Sequence, residues 1–128
     1  AAMHRDTGWQ LMFHNRWWAN DTIYGGLWVR ENHSVAYPGN AMALPLDESF
    51  WHELLREAQA LGLTTLFMDW LWTEFLGMEV TQRTATAATE WLRRMSCAAE
   101  RLDITILYCM VLPRHVVASA EFPAVTQV

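Results

Sequence analysis

The sequence predicts an α/β region built from parallel β/α units, and three observations carry that prediction. Three apolar, strand-like runs each stop abruptly at polar and aromatic residues: Trp9-Gln-Leu-Met-Phe13, Thr64-Thr-Leu-Phe-Met68 and the segment from Ile104 to Leu112. Helical patterns separate the later runs, and the helix-to-strand connections are short. Strands separated by helices run parallel, so their carboxyl ends share one side, where open α/β sheets and barrels hold their ligands.

The first strand covers residues 9–13 and leads into His14-Asn-Arg-Trp-Trp18. Residues 14–46 read as one long, irregular connection containing Gly25-Gly26 and Pro38-Gly39, and connections of that length are commonly binding elements. Asp47 is then a suitable N-cap for a helix whose apolar stripe is Phe50, Trp51, Leu54, Leu55, Ala58 and Leu61, with Gly62 as its stop. Residues 63–70 are too short and too rich in β-formers for another helix, and read as a buried strand. A second helix is expected from about Thr84 to Leu102, burying Ala88, Trp91, Leu92, Met95, Ala98, Ala99 and Leu102, with Arg93, Arg94, Glu100 and Arg101 in water. Residues 104–112 restore a strand that Pro113 ends.

Composition removes several function classes. The 128 residues are 52% hydrophobic, enough to build a core, and form a single α/β region over 1–128. Fourteen acidic residues against nine basic ones give a net charge of −5, and every basic residue is Arg. Without lysine, a P-loop, a pyridoxal Schiff base and a kinase strand lysine are all excluded. The Arg residues form no basic stripe, so no nucleic-acid partner is expected. No uninterrupted apolar run of about 18 residues occurs, so no membrane span is expected. Cys97 and Cys109 fall within apolar patterns and read as buried thiols.

The strand ends hold the candidate chemistry. Asp69 directly follows a buried strand and must be solvated, paired or hydrogen-bonded, because an unpartnered buried carboxylate is costly. Glu74 follows five residues later, and two carboxylates flanking a sugar bond are the minimum apparatus of glycoside hydrolysis. Eight Trp residues exceed what a core of this size needs. Trp51 and Trp91 fit helix packing, whereas Trp17, Trp18, Trp70 and Trp72 follow strands and offer flat rings to sugar faces. His14, Asn15, Arg16, Arg114 and His115 supply hydroxyl or carboxylate ligands, and His33, Tyr37 and Asn40 could line the cleft. The competing structural reading pairs Arg16 with Asp21 in a folded-back loop. No metal or cofactor is expected, since the His and Cys spacings match no metal motif.

Residues 47–72, with a helix, Ala60-Leu-Gly-Leu63, a strand and then Asp69-Trp70, resemble a helix-plus-strand unit of (β/α)8-barrel glycoside hydrolases, and residues 91–110 resemble the next one. The resemblance implies a partial TIM-type barrel, an oligosaccharide or glycoside substrate, and Asp69 and Glu74 as catalytic carboxylates. A complete barrel takes about 250 residues. This chain supplies about three units, so the remainder of a longer chain or a partner chain is expected to complete the sheet. Two alternatives stand beside this reading. One is a metal-dependent barrel lyase or isomerase using His14, Asp69 and His115; the other is a Trp-rich module that binds sugars without catalysis.

Overall fold

The computed structural model describes residues 2–19, 21–22, 28–31 and 42–128, and shows an α/β fold with a four-stranded parallel sheet. In chain order the elements are α1 (Ala2–Thr7), β1 (Leu11–Asn15), β2 (Trp18–Ala19), β3 (Trp28–Glu31), β4 (Met42–Pro45), α2 (Glu48–Ala60), β5 (Leu63–Met68), α3 (Leu71–Gly77), α4 (Glu79–Arg83), α5 (Ala85–Arg101), β6 (Thr105–Tyr108), α6 (Pro113–Ser119) and β7 (Val125–Gln127). The main sheet runs β1-β5-β6-β7, so each strand lies beside the next without a reversal of order.

The two long helices form where the apolar stripes predict them. Asp47 caps α2 by accepting a hydrogen bond from the Ser49 backbone N–H at 2.9 Å. The helix buries Phe50, Trp51, Leu55 and Ala58, while Leu61 is exposed. Its carbonyls are closed by Leu61 and Gly62, which donate to Ala58 and Gln59. Gly62 has φ +107, and an added Cβ would lie 2.5 Å from the His4 ring, so both backbone conformation and space require glycine there. Helix α5 buries Ala88, Trp91, Leu92, Met95, Ser96, Ala98 and Ala99 and packs beside α2. Arg94, expected to face water, reaches back to the carbonyl of Leu46.

Alternation along the strands divides the sheet into two unlike faces. Leu66, Met68, Ile106 and Tyr108 point toward the helices and are buried. Met12, His14, Thr65, Phe67, Thr105 and Leu107 occupy the other face, and none of them is fully buried. Parallel sheets are ordinarily covered on both faces. Among the described residues, the core lies on the helix side only.

Three expectations are corrected. The connection over residues 14–46 contains regular structure, an antiparallel sheet of order β2-β4-β3 whose central strand is buried. Four apolar residues ending in Pro45 are too few to show a period, which hid that strand. His14 and Asn15 are the last two residues of β1 and not the start of the loop. Pro113 opens α6 at its first position, where a missing N–H costs nothing, and a fourth strand follows. Gly25, Gly26, His33, Tyr37, Pro38, Gly39 and Asn40 lie outside the described residues. No helix among the described residues is long and apolar enough to cross a membrane.

Candidate functional site

Parallel pairing places Arg16, Asp69 and Cys109 one step beyond the last paired rows, at the carboxyl end of β1, β5 and β6. The ladder continues there, with Asp69 N–H donating to the Asn15 carbonyl at 2.9 Å and Cys109 N–H to the Met68 carbonyl at 2.9 Å. Alternation returns these residues to the less covered face, above His14, Phe67 and Leu107. Beneath them the hydroxyls of Thr65 and Thr105 meet at 2.9 Å.

Asp69 is held from three directions. His14 Nε2 lies 3.0 Å from Oδ2, and because a carboxylate only accepts, the imidazole donates from Nε2. The Trp70 backbone N–H donates to Oδ1 at 2.9 Å, and the Cys109 thiol donates as well. Burial pushes the Asp69 pKa up, but the bond from His14, the Trp70 N–H and the Cys109 thiol outweigh it and hold the carboxyl below its ordinary value. Asp69 is therefore ionised at neutral pH while its side chain is only 16% exposed. Burial and the neighbouring carboxylate raise the Cys109 thiol pKa, so it stays a hydrogen-bond donor and not a nucleophile. The imidazole edge rests on the Phe67 ring, with centroids 5.2 Å apart.

Immediately after Asp69 the backbone turns sharply. Trp70 adopts φ 59 and ψ 32, a left-handed conformation that costs a non-glycine residue about 1–2 kcal/mol. Met110, after β6, does the same with φ 50. The two turns are joined by Trp72 N–H donating to the Met110 carbonyl at 2.9 Å. This geometry sets the Trp70 ring 6.3 Å from Trp17, edge to face, and 6.2 Å from Trp72. The Arg16 guanidinium lies over both Trp17, at 4.5 Å, and Trp70, at 4.9 Å. His14, Arg16, Trp17, Asp69, Trp70 and Trp72 thus converge on one rim.

The remaining candidates do not join that rim. Glu74 is 0% exposed within α3, and neither carboxyl oxygen has a partner among the described residues. Sequence proximity to Asp69 misled because Glu74 lies on a helix, where its phase turns it into the core. Trp18 packs edge-on against Phe50, at 5.3 Å, and Trp51, at 6.2 Å, so it is a core ring rather than a platform. Asn15 alternates to the helix side and lies 3.5 Å from the Met68 sulfur. There it helps line an apolar cavity of about 240 Å³ between β1 and α2, whose walls include Phe13, Trp18, Leu54 and Ala58. Arg114 stacks on Phe75 at 4.4 Å. His115 is buried, accepts the Leu112 N–H at 3.1 Å, and is pushed down to about 4 by burial and by Arg114. Arg114 and His115 therefore tie α6 to α3 and take no part in the rim.

Cys109 is the site residue that sequence reading missed as a ligand of Asp69. The signal lay in strand period: Cys109 stands two residues past Leu107, as Asp69 stands two past Phe67.

No known protein family, curated protein or solved structure matches the chain. Among the described residues, no group of three or more His, Cys, Asp or Glu side chains is arranged to hold a metal ion. The set His14, Asp69 and His115 is not brought together, because His115 is enclosed against Phe75.

The buried carboxyl of Glu74 has a measurable consequence. Burial raises its pKa well above the ordinary 4.5, so the folded state keeps a proton that the unfolded chain releases. Its contribution to stability is full below the unfolded pKa and is lost as pH rises toward the folded value. Glu74→Gln keeps the shape without the ionisation. We expect its denaturation midpoint to exceed that of the wild type at about pH 8 and to match it more closely near pH 4.5. Parallel pH profiles for the two proteins would show Glu74 to be ionised in the fold.

Proposed function

We propose that this chain forms part of a (β/α)8-barrel glycoside hydrolase and that the rim around Asp69 binds carbohydrate. The ionised Asp69, fixed by His14 beside the Trp17, Trp70 and Trp72 rings, is the observation that carries the reading. The sequential order β1-β5-β6-β7 supports the barrel, because doubly wound sheets reverse their order at the switch point and barrels do not. The one-sided cover of the sheet agrees, since the inner face of a barrel is filled only when further strands close around it. Those strands come from the rest of a longer chain or from a partner.

Chemistry follows from the charge state. A carboxyl held ionised is a poor proton donor and a suitable nucleophile, base or sugar-hydroxyl acceptor. Asp69 takes one of those roles, and His14 fixes its orientation. Glu74 is enclosed and cannot flank a sugar bond opposite Asp69. The acid that protonates the leaving group is therefore a residue other than Glu74. The aromatic rings supply stacking area for the apolar faces of the sugar.

Titration with oligosaccharides tests the reading through tryptophan fluorescence. Saturable quenching is expected, weakened about tenfold in Trp70→Ala through loss of ring contact. Product formation in the same mixtures distinguishes the hydrolase from a sugar-binding module. Absence of quenching by any saccharide would overturn the proposal.

A further inference from the structure

We infer that the saccharide taken by this rim carries an anionic group, a carboxylate or sulfate ester, and that Arg16 is the residue that selects it. The inference rests on the carbohydrate reading above. Its basis is an exposed arginine held against two indole rings and forming no ion pair with any described residue. The guanidinium carbon lies over Trp17 and Trp70 at 4.5 and 4.9 Å, at the junction of two rings that stand 87° apart, so its position is set before any ligand arrives. Among the described residues it forms no ion pair, and Asp21, its partner in the competing structural reading, is not joined to it.

Arg16 stands opposite Asp69, one step past the last paired row, where pairing of opposite charges is favourable. Asp69 instead takes its partners from His14, Trp70 and Cys109, and Arg16 is not among the groups that act on it. The guanidinium charge is thus left facing the rim. Cation and aromatic faces satisfy it only in part, and the N–H fork remains open for two parallel hydrogen bonds to a planar or tetrahedral oxyanion. A ring substituent bearing such a group would meet the guanidinium on the side away from the Asp69 carboxylate, while the sugar face lies on indole surface that Arg16 leaves uncovered.

The test compares three oligosaccharide sets of equal length, neutral, uronate-containing and sulfated, by fluorescence titration of the wild type, Arg16→Gln and Arg16→Lys. One or both anionic sets should bind about tenfold to a hundredfold more tightly than the neutral set. That preference should weaken with added salt and vanish in Arg16→Gln, which should bind the anionic and neutral sets alike. Arg16→Lys should recover only part of it, because lysine keeps the charge and lacks the fork. Whichever anionic set binds identifies the group. Equal binding of neutral and anionic sets by the wild type would overturn the inference and leave the carbohydrate reading standing. Failure of all three sets to bind would overturn both. Circular dichroism of each variant separates loss of recognition from loss of fold, and the comparison among ligands on the wild type needs no variant.

Discussion

Asp69→Asn is expected to lower turnover of the saccharide substrate by about a thousandfold, the middle of the range for removing a positioned acid–base or nucleophilic group. The substitution is close to isosteric. The amide oxygen can still accept the Trp70 N–H, now at 2.9 Å, or the His14 proton, now at 3.0 Å. What disappears is the negative charge that the proposed hydrolysis needs. Folding should therefore change by about 1 kcal/mol, the net worth of a typical hydrogen bond, and thermal melting should separate that small effect from the kinetic one. A companion substitution probes the cause of ionisation. His14→Ala removes a bond that lowers the Asp69 pKa, so the acidic limb of the rate profile should move to higher pH. Turnover unchanged in Asp69→Asn would remove this carboxylate from the mechanism.

Trp51→Ala is expected to cost about 3–5 kcal/mol of folding stability, against a total of about 5–15 kcal/mol for a domain. Trp51 is 0% exposed and meets the rings of Phe50, at 5.3 Å, and Trp18, at 6.2 Å. Its indole N–H donates to the Pro45 carbonyl at 3.3 Å, fastening α2 to β4. Truncation opens a large cavity and also leaves a buried carbonyl without its donor, and the two penalties add. Trp51→Phe keeps most of the apolar volume and loses the N–H, so it should cost much less. Denaturant unfolding measures both. A loss below about 1 kcal/mol for the alanine variant would mean that the antiparallel sheet is not anchored through this ring.

Legibility differed between elements for physical reasons. Helices α2 and α5 were readable because their apolar stripes persist over several turns, so single exceptions such as Leu61 do not hide the period. Strand β5 was readable because its apolar run is bounded by Gly62 and Asp69. Strand β4 has only four residues, and its burial comes from tertiary packing against Trp51. Among the candidate ligands, His14 and Asp69 fall on one face of the sheet by the two-residue alternation, which turns Asn15 to the other. On the short helices phase decides, since a shift of one residue rotates a side chain by about 100°, and it leaves Trp72 at the rim. Glu74 and His115 turned inward for that reason, and Arg114 turned onto Phe75.

The sequence by itself determined the α/β class, both long helices, the parallel sense of the strands and the position of Asp69 at a strand end. These follow from local periodicity, capping and the need for crossovers between parallel strands. Only the tertiary structure decided which polar groups meet. His14 and Asp69 are 55 residues apart in the chain and 3.0 Å apart in space, while Glu74, five residues from Asp69, is sealed in the core. Pairing of strands sets the first distance and helix phase sets the second, and neither quantity is written in any local stretch of residues.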